Sequence, residues 1–449
     1  MGSITTTQGP PQLTAIERIG PKGYLRYVFP FQLEDNYDIA YVPRILRAGY
    51  DALCARLSEV ACEAVPDIDC KQAGVMKYVK QNNGIEQFVA KDLRDTYPST
   101  YTELKEQHFP VSSFDADTFC HCDVWPKPGH RLPIALVQAN FIRGGLILSW
   151  NILHMAGDDT SFCVWTKIWA EGCRQAQGDY EAPLDLPQAI WKDREQFMKP
   201  SGRNNGKIED HPEYTLLPFT PPGMPPKITS PNHRGQYLAQ LKANASPVNA
   251  TQPTDQKWIS TNDALSALIW RTVMAVQHPI EELEGNPVSV FNIALDGRQR
   301  ADPPIHPNTL GCFLEWTAPS ASIRGMLTKL SIADLAILIR RAVTRSDNQF
   351  TDDVVTLVDS VEDVDRLVAT AFLDVPGNHC VQSSWLGFEL YGLEWGPVLG
   401  NKIEAVRMPH VGVINGAQVV LPQLANGGDG SPCGSGVELS GPTTERSFV

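Results

Sequence analysis

The chain reads as an α/β protein of two domains, and three observations point that way. At 449 residues it exceeds the size at which one core keeps growing, so two units of roughly 200 residues are expected. Both halves mix strand-like apolar runs with apolar positions recurring every three to four residues, the marks of strands and amphipathic helices. Between them, PSGRNNGKIEDHPEYTLLPFTPPGMPPKITSP is rich in Pro and Gly and poor in periodic apolar positions. A stretch of that length and composition reads as an interdomain crossover. The division expected is 1–195, a crossover over 196–232, and 233–449.

The first half opens with YLRYVFPF from Tyr24, a strand, followed by a helix over Tyr41 to Val60 carried by Ile45, Leu46, Tyr50, Leu53 and Leu57. GVMKYVK and EQFVAKDL read as two short strands joined by Asn82-Asn83-Gly84, a turn signal. Phe114 to Pro133 is rich in Pro and aromatics and reads as irregular. LVQANF and LILSWNIL form a hairpin through Gly144 and Gly145, since Gly reaches the positive φ such turns need.

In the second half, WISTNDALSALIWRTVMAV predicts a helix capped by Ser260 or Thr261, with Leu265, Leu268, Ile269 and Val273 on one face. SVFNIALDGRQR is a strand ending in Arg298 and Arg300, Ser331 to Val343 is a helix, and Asp353 to Ala371 reads as another. HCVQSSWLGF is strand-like, VGVINGAQVVLPQ predicts a hairpin turning at Asn415-Gly416, and VELS reads as a last short strand.

Composition, at 42% hydrophobic and 20% charged, is that of an ordinary folded protein. Lys and Arg total 38 against 51 Asp and Glu, and the formal net charge of −13 disfavours nucleic-acid or anionic-membrane binding. A phosphate-bearing ligand would need a local basic pocket. The first residues carry no secretory pattern, and no apolar run is long enough to span a bilayer. MGSITT fits a myristoylation pattern but has no polybasic patch beside it and is set aside. Cys120-His121-Cys122 lacks a second pair at zinc-finger spacing, so no metal site is expected. The ten cysteines read as reduced thiols of a cytoplasmic protein.

The stretch that carries chemistry is LILSWNILHMAGDDTSFCVWTKIWAEGC, Leu146 to Cys173. A strand ends on His154, a small-residue corner follows, and Phe162, Trp165, Ile168, Trp169 and Cys173 then trace one face of a helix that Asp158 or Asp159 caps. An imidazole with an ordinary pKa of about 6.5 exchanges protons near neutrality, so at a strand end facing a cleft it is a general-base candidate. The alternative is a structural histidine beside a helix cap.

Five segments in order resemble the BAHD acyltransferases, the acyl-CoA-dependent transferases of specialised metabolism, and especially their fungal trichothecene O-acetyltransferase branch. HMAGD stands where that family has H-x-x-x-D, and STNDALSALIW looks like its helix after the crossover. LDGRQR resembles its V-D-x-R-x-R strand end, and NTLGCF its Y-F-G-N region. SSW, followed by ELYGLEWGPVLGNKIEAVRMP, resembles its D-F-G-W-G stretch and the V-R beyond. In place of D-F-G-W-G the chain has Glu394-Trp395-Gly396-Pro397-Val398, keeping the acid and one glycine.

The resemblance implies two chloramphenicol-acetyltransferase-like domains, each a mixed β-sheet with flanking helices, joined by a long crossover loop. It implies acyl transfer, most simply of acetyl, from acyl-CoA as cosubstrate to a hydroxyl of a hydrophobic secondary metabolite, by a monomer without a permanent cofactor. His154 would be the base in a channel between the domains. Asp158 would turn away from it to pair with Arg298. Ser383 would donate to the oxyanion, and Gly157 would allow the corner. Glu394 and Gly396 would shape the cofactor end, where Lys257, Ser260 and Arg407 would approach CoA. The other readings are a repurposed fold catalysing cyclisation or condensation, and a metabolite binder without catalysis. Ester hydrolysis lacks a G-x-S-x-G nucleophile elbow.

Overall fold

The structure is a computed structural model that describes residues 11–34, 36–81, 86–127, 130–179, 181–220, 232–234, 238–347, 349–374, 377–410, 417–422 and 438–440. The first half runs α1 (Ala15–Arg18), β1 (Tyr24–Gln32), α2 (Val42–Arg56), β2 (Cys62–Pro66), β3 (Met76–Lys80) and β4 (Phe88–Asp92). It continues with α3 (Tyr101–Glu106), α4 (Ala116–Phe119), β5 (Leu132–Pro133), β6 (Ala135–Ile142), β7 (Gly145–Leu153) and α5 (Asp159–Ala176). The expected hairpin is β6 and β7, closed at Arg143-Gly144 with Gly144 at φ +75°. It forms the middle of a sheet ordered β1-β7-β6-β4, antiparallel except for β4 beside β6. Helices α2 and α5 pack against each other at two facing glycines. A Cβ on Gly49 would stand 2.8 Å from the Cys173 backbone nitrogen, and one on Gly172 would stand 2.9 Å from the Gly49 Cα.

Two expectations change here. The strands β3 and β4 do not pair with each other: β3 joins β2 and β5 in a small sheet, while β4 lies parallel beside β6. Their expected turn at 82–84 lies outside the described residues. A turn signal is local, whereas pairing goes to the strand that can cover a neighbour's open edge, and the wholly buried β6 offers one to β4. The helix α2 also stops at Arg56, and after a 3-10 turn the chain continues as β2, which its short apolar run did not announce.

The second half runs α6 (Ala189–Lys192), β8 (Tyr214–Leu216), β9 (Asn232–Arg234), α7 (Leu238–Asn244), α8 (Thr261–Gln277), β10 (Val288–Asp296), β11 (Leu314–Thr317) and β12 (Ser320–Ser322). It ends with α9 (Ile323–Thr328), α10 (Ile332–Arg345), α11 (Phe350–Ser360), β13 (Leu367–Ala369), β14 (Cys380–Ser384), β15 (Ala417–Val420) and β16 (Glu438–Ser440). Its main sheet is ordered β11-β10-β14-β15, with β12 also on β10, and the β10–β14 and β14–β15 pairs are parallel. The expected helix over 353–371 is shorter, because Asp363 caps a new 3-10 turn and the chain then leaves as β13 to pair with β8. The crossover therefore contributes a strand. The hairpin turn expected at Asn415-Gly416 lies outside the described residues, and its second arm, β15, runs beside β14.

Core packing does not follow the linear division. Trp385, Leu390, Trp395, Leu399, Ile403 and Val406 bury themselves with β1, β7, α2 and α5, so the late chain returns to the first half. A separate core lies between α8, α10 and β10. A third, with Ile16, Val75, Phe197, Tyr214, Phe313 and Val354, joins the two halves.

Candidate active site

Strand β7 is buried along its length and ends at Leu153, so the next residue emerges at the rim of the sheet. That residue is His154, which opens a 3-10 turn over His154–Ala156. Its N–H donates to Gly23 O at 2.8 Å, and Met155 N–H to Pro21 O at 3.0 Å, fixing the corner against the entry to β1. The imidazole is half-buried, with Nδ1 3.9 Å from Cys312 Sγ. Burial drives its pKa below the ordinary histidine value, while contacts with the backbone of His154 itself, the Asp158 charge and the Gly157 backbone pull partly back. A histidine so placed is neutral at pH 7 and keeps a lone pair with which to accept a proton.

Asp158 is the N-cap of α5 and accepts from Ser161 N–H at 3.2 Å, as read for one of the two aspartates. Its carboxylate leaves His154 and reaches the other half of the molecule. Arg298 forks onto it, Nη1 to Oδ2 at 2.6 Å and Nη2 to Oδ1 at 2.9 Å, and Phe313 N–H adds a bond to Oδ2 at 2.8 Å. The guanidinium also donates to Thr309 O at 2.7 Å, Asp296 Oδ1 at 3.0 Å and Gly311 O at 3.1 Å, and lies 4.4 Å from the Phe313 ring centre. Arg298 stands in the 3-10 turn that follows β10. Bidentate geometry and burial make this the firmest tie between the halves at the site.

Gly157 does not need glycine's conformational freedom, since its φ is −162°, extended backbone that any residue adopts. What it lacks is space: a Cβ there would stand 3.1 Å from Trp165 Cη2 and 3.2 Å from Ser161 Cβ. Ser383 lies near the end of β14, half-buried. Alternation puts it on the face opposite Gln382, whose amide bonds Ser266 of α8, so Ser383 faces away from that helix.

The segment after β14 is docked on the end of α5. Gln177 donates to Trp395 O at 2.7 Å and accepts from Val398 N–H at 2.8 Å, and Arg174 donates to Glu394 O at 2.8 Å. Trp395 is fully buried against Phe31 and Trp169. Gly396 has φ +85° and lies against the Gln177 side chain, so both backbone and space demand glycine. The Glu394 carboxylate is exposed, with Lys402 3.5 Å away, so the acid itself holds nothing in place.

The three residues assigned to CoA part company. Lys257 is exposed, four residues ahead of the start of α8. Ser260 caps α8 in a reciprocal capping box with Asp263, its Oγ accepting from Asp263 N–H at 3.1 Å. Arg407 is 5% exposed and donates to Phe109 O at 2.8 Å, Val406 O at 2.9 Å and His108 O at 3.1 Å. His108 and Phe109 have φ of 60° and 54°, so Arg407 ties down a left-handed turn and its charge is not presented to solvent.

Sequence reasoning named Asp159 only as an alternative cap and missed Tyr27, Glu17 and Cys312. Asp159 accepts from Tyr27 Oη at 2.8 Å, and its carboxyl is pushed up to about 7, chiefly by burial, with the Tyr27 bond opposing. The signal was present as the doubled Asp of HMAGDD, but which aspartate caps the helix is decided by rotamer. Among the described residues no group of three His, Cys, Asp or Glu side chains could hold a metal, and no helix is long and apolar enough to cross a membrane.

Comparison with known proteins places this geometry. The chain is 25% identical over 440 residues to the enoyl-CoA isomerase/hydratase claC of Penicillium crustosum, covering 94% of this chain but 48% of that protein, so it spans about half that relative's length. It is 27% identical over 361 residues to the eremophilane O-acetyltransferase prx11 of Penicillium rubens, covering 72% of each. The fold matches crystalline F. graminearum TRI101 complexed with coenzyme A and deoxynivalenol at a TM-score of 0.78, with 21% identity over 96% of this chain and 93% of that one. Residues 24–173, which include His154, Asp158 and most of α5, match the trichothecene 3-O-acetyltransferase-like N-terminal domain. The first third of the chain is thus similar to the N-terminal domain of the trichothecene 3-O-acetyltransferases, and the whole chain shares the fold of TRI101.

Proposed function

We propose that the protein transfers an acyl group, acetyl in the first instance, from acyl-CoA to a hydroxyl of a hydrophobic secondary metabolite. The observation that carries this reading is a neutral, half-buried His154 at a strand end, with the neighbouring Asp158 turned away and clamped by Arg298. The naming of prx11 as an O-acetyltransferase and the coenzyme A bound to F. graminearum TRI101 support it.

In this mechanism His154 takes the proton of the acceptor hydroxyl as its oxygen attacks the thioester carbonyl. The tetrahedral intermediate collapses to the ester, and the imidazolium protonates the departing CoA thiolate. No covalent acyl-enzyme is needed. Ser383 is our candidate donor to the oxyanion, a role that costs about 3–4 kcal/mol when such a donor is removed. Asp158 and Arg298 orient the corner, and Gly157 lets it lie close on α5. Gly396 shapes the docked segment, and Arg407 supports it from within the fold. Lys257, exposed beside the capped start of α8, is the residue we assign to the CoA phosphates, with Ser260 placing that helix end. We read the protein as a cytoplasmic monomer, in keeping with nine described cysteines that are all free thiols.

Calorimetric titration with acetyl-CoA, followed by mass spectrometry with a panel of hydroxylated fungal metabolites, tests the reading. Binding and an acetyl mass increment that His154→Ala abolishes are the expected results. Absence of acyl-CoA binding to the wild type would overturn it.

A further inference from the structure

The loop that receives Asp158 also forms the wall behind the base. Gly311, Cys312 and Phe313 lead into β11, and each is tied to the first half of the chain. Gly311 N–H donates to Ser161 Oγ at 2.9 Å, and that hydroxyl donates back to Gly311 O at 2.8 Å. Phe313 N–H is held by Asp158, and Cys312 N–H donates to Glu17 Oε1 at 3.3 Å. Glu17 is itself 1% exposed, bonded to Thr14 N–H at 2.7 Å and paired with the Arg194 guanidinium. Gly311 has φ +135°, and a Cβ on it would run into the Glu17 carboxylate, so the loop fits only as glycine at this point. The backbone on both sides of Cys312 is thus fastened, and its side chain is fully buried beside the imidazole.

The geometry points to Cys312 as a positioning residue for the base, its sulfur backing the Nδ1 edge of His154 so that Nε2 is left for the acceptor. This rests on His154 being the base. An imidazole can carry its single proton on either nitrogen, and on our proposal the sulfur accepts from Nδ1–H, which leaves the lone pair on Nε2. The choice of a thiol has a physical reason. Burial pushes the Cys312 thiol far above its ordinary value, so it stays neutral. A carboxylate in the same place would stabilise the imidazolium and raise its pKa, leaving less of the imidazole unprotonated at pH 7; an alanine would leave a gap for water. On this view Asp158 acts twice, by capping α5 and by seating the loop that carries Cys312.

The test is two-bond 1H–15N correlation on protein with 15N-labelled histidine, with His154→Gln used to assign the signal. In wild type at pH 7, His154 is expected to be neutral with its proton on Nδ1. In Cys312→Ala both tautomers should be populated, and the titration midpoint should rise toward the ordinary value of about 6.5. Cys312→Ser keeps an acceptor atom and should restore the wild-type tautomer. Acetyl-CoA affinity should be unchanged throughout, while kcat of the Ala variant should fall about tenfold. A wild-type proton on Nε2 overturns the proposal. So does a Cys312→Ala spectrum identical to wild type, or a Ser variant that behaves like Ala with its circular dichroism intact. The tautomer experiment uses no substrate, so failure of the wild type to bind acetyl-CoA would remove the transferase reading separately.

Discussion

Arg298 and Arg407 lie in motifs of the same resemblance and are almost equally buried, at 4% and 5% exposed, yet they work differently. Arg298 forks onto the Asp158 carboxylate and bridges the two halves of the chain at the His154 corner. Arg407 donates to three backbone carbonyls, two of them in the left-handed turn at His108 and Phe109, and its own backbone pairs with Val28 of β1. One arginine answers a charge; the other answers peptide dipoles. Position within a motif locates a side chain, and the groups already present at the place where it lands decide what it does.

The largest expected effect comes from Arg298→Met, which leaves Asp158 buried without its partner and should cost about 3–5 kcal/mol in urea unfolding. Activity should fall with it, since the loop behind His154 loses its anchor. An Arg298→Met protein as stable as wild type would erase the contrast between the two arginines. Arg407→Met removes donors from buried carbonyls and should cost about 1–3 kcal/mol. Acetyl-CoA affinity measured calorimetrically on that variant should be unchanged; a large loss would return Arg407 to the phosphates.

Asp159 sharpens the comparison, because it lies beside Arg298 yet takes its hydrogen bond from Tyr27. Its folded pKa is raised to about 7 from an unfolded value of about 3.9, so the folded state holds the proton more tightly. The stability this supplies is complete below pH 4 and is lost as pH rises through 7. Thermal melts of Asp159→Asn should therefore match wild type at pH 4 and lie above it at pH 8. Equal shifts at both pH values would show that the carboxyl is not buried as described. His154 runs the opposite way: its folded pKa is lowered, so the acid limb of kcat/KM should fall below the ordinary histidine value of about 6.5. The smallest effect belongs to Glu394→Gln, which should leave the melting temperature in place because that carboxylate faces solvent. Gly396→Ala, two residues on, should lower it clearly, through positive φ and collision with Gln177.

Much of the site was legible from local pattern. The strand before His154, the glycine turn at Gly144, the cap at Asp158 and the capping box at Ser260 follow from periodicity and from side chains that satisfy free N–H groups a few residues away. The pairing of β4 with β6, the end of α11 at Ser360 and the docking of Trp395 on α5 were not legible, since each depends on a surface supplied from far along the chain. Gly157 was expected to allow the corner; its φ is ordinary, and the neighbour a side chain would meet is Trp165 of the next helix. A dipeptide corner looks the same in sequence whether its constraint is φ or a tryptophan arriving from the next helix.

By itself the sequence determined which residues start and stop the helices and strands around His154, and it named Asp158 and Arg298 as partners through the resemblance. Those properties reside in hydrogen bonds and apolar periods that span a few residues. The tertiary structure alone decided that Arg407 is spent inside the fold, that Glu394 is idle while Gln177 holds its segment, and that Glu17 and Cys312 stand behind His154. Those properties depend on burial and on partners as much as 299 residues apart, as His108 and Arg407 are, and no local pattern encodes the distance between them.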